Sequence, residues 1–358
     1  TVTGAGSTGS KVEVTGSGTA YTATVTGGTG NGAVILSVAA GAFTDSAGNT
    51  SAATSKTGLT IDNTAPTVTI GNPSKQSIKS GGTVTYAITL SETATLDSSK
   101  ITLSGTTGST VQVTGSGTSY TATVTGGTGN GAVTLSVAAG AFTDIVGNTS
   151  IATSKTGLTI DNTAPTVTIG NPSKTSIEEG ETVTYIITLS ETATLNNSKI
   201  TVIGTGSAGC TVQITGSGTT YTVTLTGGEK NGEVILSVGE GAFIDDAGNL
   251  NKATTKSGLT IDNVPLTATI DEPSKTYIRN GEKATFSINI SKSVILDSSK
   301  ITVTGTGSTG CIVEVTGSGT TYTATLTGGT GNGAVTLNVA TGAFTDSAGN
   351  TNNTTTKT

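Results

Sequence analysis

The 358-residue chain has no His, Trp or Met, and only 3% of its residues are aromatic. Without His there can be no Ser-His or Cys-His nucleophile pair and no imidazole metal site, so catalysis has almost no support. Charged residues are also scarce, at 11% with a formal net charge of -6. The 17 Lys and Arg are scattered singly, which argues against nucleic acid and anionic membrane surfaces, because no basic stripe is there to release phosphate counterions. No apolar run approaches the roughly 20 residues that cross a bilayer, so direct membrane insertion is not expected.

What is abundant is Gly, with 52 residues, together with Thr, Ser and Val. That mixture favours short strands and tight turns over helices. The pattern GSGTxYTxTxTGGxxNGxVxLxV occurs four times, with its Tyr at Tyr21, Tyr120, Tyr221 and Tyr322. A period of about 100 residues is domain-sized and too long for a solenoid repeat, so each unit should bury a small core of its own. The units run 1–63, 64–162, 163–263 and 264–358, the first without opening strands and the last without its closing strand. Both ends are expected from an excerpt of a longer array. The competing reading is an open edge offered to another chain.

Within residues 63–161 the punctuation suggests seven strands. Residues 67–70 precede an Asn72-Pro73 turn, then Val84, Tyr86, Ile88 and Leu90 alternate with Thr85, Ala87 and Thr89. The series continues through Ile101, Val111 and Val113, then Tyr120, Ala122 and Val124, then Val133, Leu135 and Val137, and closes with Leu158 and Ile160. Half-buried strands at this density need a second sheet to cover them, which points to an all-β, antiparallel, immunoglobulin-like sandwich. Gly126-Gly127 and Asn130-Gly131 read as a hairpin between the Tyr120 and Val133 strands. Phe43, Phe142, Phe243 and Phe344 should plug the core after the sixth strand. Only about five residues join one unit to the next, and Pro66 and Pro165 stiffen two of these joins, so tandem units should form a semi-rigid, elongated rod.

Leu90-Ser91-Glu92, Tyr120-Thr121-Ala122-Thr123-Val124, Ala141-Phe142-Thr143-Asp144 with Gly147-Asn148, and Asp161-Asn162-Thr163-Ala164-Pro165 recur along the chain. In these segments all four units resemble the tandem bacterial Ig-like domains of large repetitive surface and adhesin proteins. The resemblance implies an extracellular, cell-surface stalk, with calcium stiffening the joins in several relatives.

Topology offers its own route to a metal. In such a sandwich the loop after the second strand and the loop before the last strand lie where the domain's first strand enters. Glu92, Asp144 and Asn148 should then gather beside Asp62 and Asn63, and Glu191, Asp245 and Asn249 beside Asp161 and Asn162. Carboxylate, amide and carbonyl oxygens suit Ca²⁺, which takes six to eight of them. The other reading is structural, since Asp-x-x-Gly-Asn is also a turn in which Asp caps backbone amides and Gly takes positive φ. In the last unit Lys292 replaces the Glu, so the set Asp262, Asn263, Asp346 and Asn350 faces a cation and should bind calcium weakly or not at all.

Cys210 and Cys311 hold equivalent positions in successive units, too far apart to bridge, and read as small inward-facing thiols. Lys100, Lys199 and Lys300 sit in polar loops and read as solvated edge charges rather than isopeptide partners. The expectation is a non-enzymatic extracellular stalk whose partners are adjacent domains of the same chain, with a distal ligand that these residues do not specify. The rival is a self-assembling subunit of an extracellular filament or surface layer.

Overall fold

The computed structural model describes all 358 residues. They form two compact units, Thr1–Thr163 and Ala164–Thr358. Regular structure is strand apart from four three-residue 3-10 turns, and no helix is long and apolar enough to cross a membrane.

Residues 64–162 show how the sequence makes a sandwich. In Thr83–Leu90 the burial alternates without a break, Val84, Tyr86, Ile88 and Leu90 facing in and the threonines facing out. The β-branched Thr side chains favour the extended backbone, while the apolar set supplies the buried face. One sheet runs Thr110–Ser116, Ser119–Thr125, Thr83–Leu90, Val68–Ile70, and the other runs Ile101–Ser104, Gly131–Val137, Thr153–Ile160, Ser77–Ile78. The last two strands of the second sheet pair in parallel, with Ile160 opposite Ile78. Both sheets turn their apolar rows onto one core, in which Tyr86, Ile88, Leu135, Phe142 and Ile160 are fully buried. Burying one such aliphatic side chain is worth about 1.5–3 kcal/mol.

Every one of the seven expected strands is present, with three short ones besides. The expected opening strand is Val68–Ile70 in one sheet, and a short additional strand after the Asn72-Pro73 turn, Ser77–Ile78, joins the other. Ala94–Leu96 and Phe142–Asp144 form a separate two-stranded ribbon. Phe142 closes the core from that ribbon, its ring 5.1 Å from that of Tyr120, whose hydroxyl donates to the Ala94 carbonyl at 2.7 Å.

The hairpin expected at Gly126-Gly127 and Asn130-Gly131 is not there. Ser119–Thr125 and Gly131–Val137 belong to opposite sheets, so this segment is a crossover. Gly131 does take positive φ, at 134°, but a local conformation does not choose the partner strand. The true hairpin closes at Ser116 and Ser119 around Gly117-Thr118, where Gly117 has φ of 67°.

Residues 167–261 repeat both four-stranded sheets around a core of their own. In the fourth domain a four-stranded sheet that includes Lys283–Ile290 accompanies a three-stranded one, around a third core containing Phe286 and Phe344. In the first domain a three-stranded sheet and the ribbon Lys11–Ser17 with Ala20–Thr26 leave the inward face open, and Tyr21 is 46% exposed. Cys210 and Cys311 are free, half-buried thiols that pack against the cores of their domains as expected, and each Sγ lies 3.4 Å from a glycine carbonyl, Gly206 or Gly307. Lys100 remains half exposed and donates to the Gly140 carbonyl at 3.1 Å.

Candidate cation sites at the domain joins

The join between the first and second domains is a pinned loop. Asp62 follows Thr54–Ile61, and its Oδ1 accepts the Thr64 amide at 2.9 Å. Thr67 donates its amide to Ser91 Oγ at 2.9 Å, so the Ser of the Ser-Glu pair ties the incoming chain to the loop after Thr83–Leu90. Glu92 is the next residue of that loop. Asp144 ends the Phe142–Asp144 strand and folds the turn behind it, its Oδ1 accepting the amides of Val146, Gly147 and Asn148 at 2.7–2.9 Å. Asn148 then spans the join, donating from Nδ2 to the Asp62 carbonyl at 3.1 Å and to Asp144 Oδ2 at 2.8 Å.

One carboxylate oxygen each from Asp62, Glu92 and Asp144 lies within 4.8 Å of the other two, with Asp144 buried and the others half-buried. Burial, and after it the charges of Asp62 and Asp144, push the Glu92 carboxyl above its ordinary range. Burial acts the same way on Asp144. There the Asn148 side chain and the backbone amides of Asn148, Gly147 and Val146 outweigh it and hold the carboxyl low. The three acids therefore share one small volume, with Asp144 held ionised by its turn.

The turn and the cluster are separable. Asp45 in the first domain makes the same turn, its Oδ1 accepting the amides of Ala47 and Asn49 at 2.9 Å, although it is exposed. Asp245 and Asn249 repeat it in the third domain, buried, with the Asn249 amide 2.8 Å from Asp245 Oδ1. Glu191 lies in the loop after Thr182–Leu189, beside Ser190, whose Oγ accepts the Thr166 amide at 3.0 Å. In the second domain Asp161 accepts the Thr163 amide at 2.9 Å.

Asn63 and Asn162 make their hydrogen bonds on the side of the domain that precedes each join. Asn63 turns back onto its own domain, donating from Nδ2 to the carbonyls of Gly28 and Gly30 and from its amide to Asn31 Oδ1 at 2.7 Å. Asn162 repeats this with Gly127 and Asn130, and its Oδ1 accepts the Ser80 amide at 2.6 Å. Each is committed to holding the linker. Asn130, read as a turn residue, and its counterpart Asn31 are anchors that sequence reasoning missed, each donating to a linker threonine, Thr163 or Thr64. Their constant distance from the junction Asn was the available signal.

At the join between the third and fourth domains, Lys292 stands where Glu92 does in the second. Its Nζ lies 2.8 and 2.7 Å from the two oxygens of Asp262, 2.9 Å from the Val264 carbonyl and 3.3 Å from Asp346 Oδ2. Burial alone would lower the ammonium pKa, but Asp262 and Asp346 outweigh it and raise it. Asp346 is likewise pushed up by burial, and the Asn350 side chain, the amides of Ala348 and Asn350, and Lys292 bring it below its ordinary value. Asn350 donates to the Asp262 carbonyl at 2.8 Å, matching Asn148.

The profile of the bacterial Ig-like domain matches residues 62–160 and 161–261, more than half of the chain. The chain belongs to the bacterial Ig-like domain family. No curated protein sequence matches it. Among solved structures it is similar to the Escherichia coli adhesin FdeC, at 18% identity over 76% of this chain and 90% of that one, with a TM-score of 0.39. It is also similar to the I67–I69 fragment of titin, at 11% identity over 82% of this chain and 97% of that one, with a TM-score of 0.31.

Proposed function

We propose that these bacterial Ig-like domains are a stretch of a non-enzymatic, extracellular stalk of a surface adhesin, and that a calcium ion closes the join between the first and second domains. The observation that carries the reading is the pinned linker, tied to the domain before it through Asn63 and to the domain after it through Thr67 and Asn148. A stalk needs joins that resist bending. Pinning on both sides is how short linkers supply that resistance.

Asp62, Glu92 and Asp144 are the ligands we assign to the ion. Three carboxylates in one volume repel each other, and a hard dication that prefers oxygen ligands removes that repulsion while drawing linker and domain together. The capping role of Asp144 is compatible with this, because Oδ1 serves the turn and leaves Oδ2 towards Asn148.

Thermal unfolding in excess calcium and in excess chelator, with particle length from small-angle scattering, tests the reading. A higher melting temperature and a longer particle with calcium are expected, since a ligand that binds only the folded state stabilises it. Unchanged values in both would overturn the ligand assignment, and concentration-dependent growth into long particles would replace the stalk with a self-assembling filament.

A further inference from the structure

The second and fourth domains build their joins on the same backbone contacts, with one side chain of opposite charge between them. Ser91 and Ser291 both accept the amide of the entering Thr, Thr67 or Thr267. Asn148 and Asn350 both bridge to the carbonyl of the linker Asp. Asp144 and Asp346 both cap the same turn. Between these common parts the side chain after the Ser is Glu92 in one domain and Lys292 in the other.

We propose that Lys292 is a tethered cation that holds the position a metal would hold, closing the join between the third and fourth domains without any divalent ion. This rests in part on the cation-bridged reading of the first join. The ammonium is ringed by four oxygens within 3.3 Å, from the linker (Asp262 and Val264) and from the fourth domain (Asp346). It therefore fastens linker to domain as a bound ion would. Charge counting agrees, because three carboxylates with a dication leave one negative charge and so do the two carboxylates with one ammonium. The Lys292 and Asp262 side chains are 29% and 28% exposed and that of Asp346 only 3%, so this pairing is partly screened from water. A chain built this way has one join that responds to calcium and another that does not, and the identity of a single residue after the Ser decides which.

The test uses the full chain and reads amide hydrogen exchange, with calcium and with chelator. The reporters are Val264, Ala348 and Asn350 at the third join, and Thr64, Gly147 and Asn148 at the first. In the wild type the third-join amides are expected to exchange equally slowly in both conditions. Lys292→Met should speed them about tenfold or more in both, while amides of the core strand Lys283–Ile290 keep their protection and show that the domain remains folded. Lys292→Glu should also speed them in chelator and restore slow exchange in calcium. Unchanged exchange in Lys292→Met, or wild-type third-join protection that needs calcium, would overturn the proposal. So would a Lys292→Glu variant deaf to calcium while the first join responds to it. If the first join ignores calcium but Lys292→Met still loosens the third, the calcium reading fails and the tethered cation stands.

Discussion

The second and fourth domains share most of a scaffold and differ, among many other positions, at places where side chains meet inside it. Phe142 and Phe344 are both fully buried, with rings 5.1 and 4.9 Å from the Tyr of the same domain. Yet Glu92 becomes Lys292, Tyr86 becomes Phe286, and Ser109 becomes Cys311. The difference teaches that the repeat fixes geometry first, and that the chemistry at each join is set afterwards by one or two substitutions.

The strongest test asks whether the scaffold is common. Phe142→Ala and Phe344→Ala should each cost about 3–5 kcal/mol, the usual loss for truncating a buried aromatic, and the two losses should agree. Denaturant unfolding measured domain by domain checks this. A loss in one domain half that in the other would break the equivalence and locate the core elsewhere. A smaller effect is expected at the shared bridge. Asn148→Ala removes two hydrogen bonds and should cost on the order of 1–2 kcal/mol, with Asn350→Ala matching it within about 0.5 kcal/mol.

The joins should part company in their pH response. Glu92 has its folded pKa raised, so the folded state holds that proton more tightly than the unfolded state does. Its favourable contribution is therefore present below the ordinary Glu value of 4.5 and is lost as pH rises through the raised folded value. In chelator, acidification from neutrality towards that value should stabilise the second domain, and Glu92→Gln should flatten the response. The fourth domain should show no such rise. The Lys292 contribution is present below 10.5 and lost only as pH climbs through a higher folded value, while that of Asp346 is lost as pH falls through a value below 3.8. Melting temperatures across pH 4–8, followed by a probe in each domain, distinguish the two.

Most of the sandwich was legible because its strands alternate strictly, as in Thr83–Leu90, and alternation reports one buried face without any partner being known. What was not legible was pairing. Asn130-Gly131 carries a hairpin's local signal but opens a strand of the other sheet, because which strand lies opposite is decided by the whole fold. Asp62, Glu92 and Asp144 could be gathered from topology alone, since loops at one end of a sandwich must meet. The inward turn of Asn63 could not, because it depends on the carbonyls of Gly28 and Gly30 in a crossover whose sequence carries only a turn's local signal. Tyr21 marks the same limit. It repeats Tyr120 residue for residue, yet it is 46% exposed against 5%, because Ala20–Thr26 lacks the neighbour that Thr83–Leu90 gives Ser119–Thr125.

The smallest effect belongs to the core hydroxyl that one domain keeps and the other has dispensed with. Tyr86 is fully buried and no protein group hydrogen-bonds its Oη, and the same holds for Tyr185 in the third domain. Burial raises the Tyr86 phenol, and burial followed by the neighbouring Cys210 pushes that of Tyr185 up to about 12. A buried hydroxyl without a partner loses its hydration and recovers nothing, a cost of about 1–3 kcal/mol. The fourth domain carries Phe286 at this place, 4% exposed, in a core of the same design. Tyr86→Phe should therefore be neutral or should stabilise the second domain by up to about 1 kcal/mol, against the usual trend for core substitutions. A clear loss of stability would mean that an internal water satisfies the hydroxyl, and that the second and fourth cores differ in hydration as well as in sequence.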